Sequence, residues 1–207
     1  MNRIKTCILV ASAFVLIAPA VAQSPAPKVD PAAVEAFVAA TWKSTTGEWR
    51  ARVDQDETQK ACTASNNEPT GVLFDQIRDR ESAAVVFPAD GKVLGDWKKG
   101  AQVAQRGTGG QFTDQANTYR GGNCYACHQM SKAEVSYGTL GPSLNGYGKL
   151  HRFDAAEARK TYAKIYNSMS VLPCSQMPRF GHNKFLSEEQ IKDVVAYLYD
   201  PESPVNK

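Results

Sequence analysis

A chain of 207 residues is long enough for one sizeable domain, or for a small domain with an extension. Hydrophobic residues make up 43% and charged residues 22%, the balance of an ordinary folded chain rather than a disordered or fibrous one. The formal net charge of +3 falls to +1 if Arg3 and Lys5 leave with a leader, so nothing in the charge argues for a nucleic-acid or anionic membrane surface.

Residues 1–22 read as that leader. Arg3 and Lys5 precede an apolar run from Cys7 to Ile17, and Ala20-Val21-Ala22 is a small-residue cleavage pattern. The run is too short for a membrane span and lacks a stop-transfer flank, so export and cleavage after Ala22 are expected. An uncleaved anchor is the alternative reading.

The mature chain reads as mainly α. After a Pro/Ala/Ser tail at 23–29, Asp30 caps a helix with Pro31 at its first position. Val34, Phe37, Val38 and Trp42 recur at helical spacing and form one apolar face. A second helical stretch runs from Gly47 to about Ala61, with Trp49 and Val53 on one side. A loop at 63–71 and a short helix at 73–80 follow, and 83–87 reads as an extended run stopped by Pro88. Residues 23–94 thus form a helical extension, too small and aromatic-rich to stand alone. Its aromatic residues are expected in a core, against the rest of the chain or against a partner.

The second unit spans 95–207. Asp96 caps a helix to about Arg106, whose Gly100, Ala101 and Ala104 allow another helix to approach closely. Five glycines mark 107–122 as a loop. Residues 132–137 form a turn, and glycines 146 and 148 extend the next loop. Asp154 and Glu157 open a helix over 154–169 with Tyr162, Ile165, Tyr166 and Met169 as its stripe. A loop at 174–183 leads to the capping box of Ser187 and Gln190, and Ile191, Val194, Val195 and Leu198 follow at i, i+3, i+4 and i+7. Asp200-Pro201 ends that helix.

The glycine-rich loop delivers the chain to Cys124-Tyr125-Ala126-Cys127-His128, the attachment signature of a c-type haem. Two thiols at this spacing can each add to one haem vinyl, and the next residue, His128, becomes the proximal iron ligand. A zinc site would want a second Cys/His pair, and a thioredoxin-like site a βαβ setting; the flanks supply neither. One covalently attached haem c is therefore expected. Pro142, in Gly141-Pro142-Ser143-Leu144, has a carbonyl suited to the free N–H of His128, although an ordinary Gly-Pro turn would look the same.

A low-spin electron-transfer haem needs a ligand on its other face. Met130 is tied to the proximal side, and Met169 sits on a helical stripe where a core role is expected. Met177 lies in a loop far from His128 and is restrained by Pro178, so it is the expected ligand. His182 is its main histidine rival, and His151 is expected on the surface. The two remaining cysteines, Cys62 and Cys174, suggest a disulfide in an exported protein; it would close a loop of about 110 residues. The alternatives leave one of them free, bonded to a partner or, for Cys174, on the iron.

Over about residues 95–200 the order of Gly100, the C-x-x-C-H, Gly141-Pro142-Ser143-Leu144, Met177-Pro178 and a final amphipathic helix resembles a class I cytochrome c. That likeness implies that the helix at 96–106 crosses the helix at 188–199 near Gly100 and Tyr197. Gly122-Asn123 before the motif, Gly138-Thr139-Leu140 before Gly141, Met177-Pro178-Arg179-Phe180-Gly181 and the run from Ile191 to Leu198 are similar to the SoxX family. So are the segment from Gln55 to Cys62 and the ending from Asp200 to Asn206, while the 107–122 loop is longer than in many relatives.

SoxX is the monohaem subunit of SoxAX, which oxidatively joins thiosulfate to a cysteine of the carrier SoxYZ. The resemblance implies a SoxA-like haem subunit as partner, with the catalytic haem on that subunit. It also implies SoxYZ as carrier and a small cytochrome c as electron acceptor. This chain would then bear no catalytic residue of its own, and Cys124, Cys127, His128, Met177 and Pro142 would serve its haem. A Cys62–Cys174 bond would tie the extension to the loop carrying Met177. A free periplasmic electron carrier without an enzyme partner is the alternative.

Overall fold

The computed structural model describes residues 30–45, 47–115 and 117–207; the expected leader at 1–22 and the tail at 23–29 lie outside them. Among the described residues there are helices and no strand. Helix α1 spans Pro31–Thr41, with the Asp30 side chain accepting from the Ala32 N–H. The expected helix from Gly47 to Ala61 is two helices, α2 (Gly47–Val53) and α3 (Glu57–Ala64). The break lies at Asp56, whose carboxylate accepts from the Gln59 N–H while the Gln59 side chain accepts from the Asp56 N–H. This reciprocal cap starts a new helix and overrides the continuous helical pattern.

Helix α4 spans Gly71–Ala83, longer at both ends than expected. Its last residue, Ala83, begins the expected extended run; the rest of that run pairs with no strand and instead lays Phe87 on the Tyr162 ring, centroids 5.5 Å apart. Among the described residues helix α1 buries no side chain: Val34, Phe37 and, at its C-cap, Trp42 are 37%, 65% and 46% exposed. Among the described residues, Phe37 and Trp42 therefore join no core.

The main core is built on the crossing of α5 (Trp97–Gln105) and α8 (Glu188–Tyr199). Gly100 permits it: a Cβ there would overlap the Asp193 carbonyl and lie 2.8 Å from the Tyr197 Cβ. Asp193 also accepts from the Asp96 N–H at 2.7 Å, pinning the start of α5 onto α8. Val103, Ala104, Ile191 and Val195 fill the crossing, and Met130 is buried with them. Full burial of one such side chain is worth about 1.5–3 kcal/mol.

The short helix α6 (Tyr147–Leu150) and α7 (Ala155–Tyr166) complete the set. Helix α7 ends three residues earlier than its apolar stripe suggests. Asn167 turns out of the helix, its side chain accepts from the Met169 N–H, and Met169 falls in a 3₁₀ turn, Ser168–Ser170. Helix α4 docks on this turn, with the Ser82 hydroxyl on the Ser170 carbonyl at 2.9 Å. A smaller core of Cys62, Ile77 and Cys174 joins α3 and α4 to the loop after that turn.

Candidate haem site

The glycine-rich segment is bonded to the end of α5, which decides where the cysteines stand. Gly122 donates to the Val103 carbonyl at 2.7 Å and Asn123 to the Arg106 carbonyl at 3.0 Å. Gly121 packs so tightly that a Cβ would overlap the Arg106 carbonyl. Asn123 takes a left-handed conformation, φ 47°, which an asparagine tolerates, and turns the chain into the 3₁₀ turn Cys124–Ala126. Cys127 and His128 both donate to the Cys124 carbonyl, at 3.1 and 2.9 Å. Both thiols are free and half-buried, and burial pushes that of Cys124 up to about 12, so it stays neutral at pH 7.

Residues 138–144 fold back along this turn. Gly138 donates to Tyr125, Gly141 to Cys127 and Leu144 to Gln129, at 2.8, 2.9 and 2.7 Å. The fold-back brings the Pro142 carbonyl to 2.7 Å from His128 Nδ1. A carbonyl only accepts, so Nδ1 carries the proton and Nε2 keeps its lone pair for a metal. The approach needs a glycine before the proline, because a Cβ on Gly141 would enter the imidazole ring. Tyr125, between the two thiols, is tied to α8 through its hydroxyl, 2.9 Å from that of Tyr197.

Met177 lies in the loop that follows the 3₁₀ turn Ser168–Ser170. It is half-buried and packs on the rim of the same core as Cys124 and Leu144. Its backbone is held twice: its N–H reaches Ser175 Oγ at 3.3 Å, and its carbonyl accepts from the Ser168 hydroxyl at 2.5 Å. Cys174 is bonded to Cys62, with Cα atoms 5.4 Å apart, and so has no thiolate for iron. His182 has Nε2 turned to Arg179 Nη1 at 3.4 Å. His151 is half-buried, not the expected surface residue: it lies against Tyr147, 4.4 Å between centroids, with Nδ1 3.3 Å from Glu157. Met169 lines a polar cleft beside the disulfide, along with Gln55, Gln59 and Thr63.

These residues suit a haem. Two free thiols adjoin an imidazole in the metal-binding tautomer, a thioether lies at the rim of the same core, and Leu140 and Leu144 offer apolar surface beside Gly141. No cluster of three or more His, Cys, Asp or Glu residues able to hold a bare ion occurs among the described residues. Sequence reasoning passed over Glu81 and Ser168, which bond the Met177 loop from α4 and the 3₁₀ turn, and Asn167, which bonds Glu81. Glu81 follows Arg80 in a charged helix and reads as solvated; no sequence signal sets it apart.

Residues 98–200 match the family model described as cytochrome c. The chain is 40% identical over 161 residues to an uncharacterized lipoprotein of Aquifex aeolicus (strain VF5), covering 76% of each. Among solved structures it is similar to SoxXA from P. pantotrophus, with 22% identity over 56% of this chain and 89% of that one, and a TM-score of 0.40. No helix among the described residues is long and apolar enough to cross a membrane. The family match begins inside α5, ends just past α8 and encloses both thiols and the imidazole; the chain belongs to the cytochrome c family, electron-transfer proteins that carry covalently bound haem c.

Proposed function

We propose that this chain is the electron-accepting monohaem subunit of a periplasmic SoxAX-type complex. In that complex the thiolate of a SoxYZ carrier cysteine and the terminal sulfur of thiosulfate join in a new S–S bond. The thiol proton goes to solvent, and a pair of electrons leaves, one at a time, through haem centres. A SoxA-like subunit would hold the catalytic haem, this chain would take the electrons, and a small cytochrome c would remove them. The chain has a single C-x-x-C-H and is read as holding one haem. When bound, that group supplies a one-electron ferric–ferrous couple.

The chain's own residues set the conditions for that couple. Cys124 and Cys127 would hold the macrocycle, and the Pro142 carbonyl fixes the tautomer of His128. Met177 is the proposed second ligand; a thioether raises the potential and suits an electron acceptor. Residues 23–94 are read as an extension whose purpose is a permanent partner. The observation that carries this reading over a free carrier is the α1 face, where Val34, Phe37 and Trp42 stay exposed and no side chain of the helix is buried among the described residues. Mixing the ferric holoprotein with thiosulfate, SoxYZ and a SoxA-like subunit should reduce its haem. Omitting any one of these should leave it oxidised. Reduction at equal rate without the SoxA-like subunit would contradict the proposal.

A further inference from the structure

Arg179 and Glu81 form an ion pair with both side chains only 5% exposed, Nη1 to Oε2 3.2 Å. Arg179 lies two residues after Met177, and Glu81 lies near the end of α4 in the extension. The pair does not stand alone. Asn167 donates to the Glu81 carboxylate at 2.8 Å and to its backbone carbonyl at 3.2 Å. Thr58 on α3 donates to the other carboxylate oxygen, and Arg179 also pairs with Asp56, the cap of α3. Arg80 closes the cluster by donating to Thr58 at 3.0 Å. Every charge here is both paired and hydrogen-bonded, the condition under which buried ions hold a definite geometry.

The cluster acts on Met177 from two directions. Through Arg179 it grips the chain just after Met177. Through Asn167 it fixes the 3₁₀ turn whose next residue, Ser168, donates to the Met177 carbonyl at 2.5 Å. The Cys62–Cys174 bond grips the chain on the preceding side. Residues 174–179 are therefore held at both ends by the extension, with the methionine between. Removing the Glu81 charge takes from Arg179 its one fully buried carboxylate partner and leaves it only Asp56, at the rim, so the loop's preferred position is held less firmly.

We propose that the Glu81–Arg179 pair, relayed by Asn167 and Ser168, is a positioning device for the Met177 sulfur, so that the extension sets how firmly the distal ligand is presented. This rests on the reading of Met177 as that ligand. Glu81 and Arg179 are positioning residues and act only through the loop.

The test uses the ferric holoprotein with its disulfide intact. Imidazole is the probe, an external ligand that competes for the distal position. Its binding is followed by loss of the near-infrared charge-transfer band of thioether-bound ferric haem. Glu81→Gln should bind imidazole at least about tenfold more tightly than wild type, because a loosened thioether is displaced more easily. Ser168→Ala should shift the same way by a smaller factor. Glu57→Gln, which removes an exposed carboxylate paired with Arg80 at 2.5 Å, should match wild type. Equal imidazole affinity in wild type and Glu81→Gln, with the band present in both, overturns the proposal. If Glu81→Gln loses its helical circular dichroism, Ser168→Ala decides, and an unshifted affinity there overturns it. A wild-type protein without the band overturns the ligand reading itself, which separates the two failures.

Discussion

At the scale of single residues, the proximal side depends on a glycine as much as on a histidine. A methyl group at position 141 has no room beside the His128 imidazole. Gly141→Ala must move the ring or the Pro142 carbonyl, and the hydrogen bond between them is the casualty. Holoprotein yield should fall, and what matures should show a shifted reduction potential; an unchanged yield and potential would contradict the geometry. Glu81 makes a second residue-scale prediction. Burial alone would raise its pKa, but hydrogen bonds from Thr58 and Asn167 and the charge of Arg179 outweigh burial and hold it below its ordinary value of 4.5. The folded chain therefore binds fewer protons there than the unfolded chain. The stability this contributes is present above pH 4.5 and is lost as pH falls through the lower folded value. Asp56, also held low, adds to the same slope. Urea titrations at descending pH should show that slope in wild type and a flatter one in Glu81→Gln, which starts from lower stability. An equal slope in both would mean that Glu81 is not the carboxylate responsible.

At the scale of elements, the join between α3 and the Met177 loop matters most. The Cys62–Cys174 bond has a sequence separation of 112 residues. Closing a loop of that size is worth about 4–5 kcal/mol in the chain-entropy model. Cys62→Ser should lower unfolding free energy by about that amount, read from denaturant midpoints, and should also weaken Met ligation; an unchanged potential and ligand spectrum would count against the tie. This join also marks the limit of what the sequence discloses. Helices α5 and α8 were legible because caps at Asp96 and Ser187 meet regular apolar spacing, and the likeness to class I cytochromes c implied their crossing near Gly100. The break between α2 and α3 was not, because its cause is a capping box inside a charged stretch that still looks helical. The end of α7 was missed for a similar reason: Met169 continues the stripe, while Asn167 leaves the helix to meet Glu81. The thiols and imidazole are named by the motif, and the thioether is proposed by elimination among the methionines. The cluster behind the thioether joins residues 98 positions apart, a distance over which no local pattern reaches.

At the scale of the whole molecule, the described residues close one main core and leave one apolar helix face exposed. The α5–α8 core is closed, and the residues suited to a haem lie at its rim. Helix α1 presents Phe37 and Trp42 to solvent. Buried aromatic anchors at interfaces cost roughly 2 kcal/mol or more when truncated. Phe37→Ser and Trp42→Ser should therefore weaken partner binding by about thirtyfold each while leaving the unfolding midpoint unchanged, since neither residue touches the core. Unchanged affinity in a direct binding titration would remove α1 from the interface.

On the proposed reading, this cytochrome works as one haem chain of a two-cytochrome complex. The most direct measurement is purification from the native periplasm, followed by separation of the chains and haem staining of each. The account predicts a second haem-bearing chain at fixed ratio through successive columns. A lone haem-stained chain near the mature mass would contradict it and leave a free electron carrier.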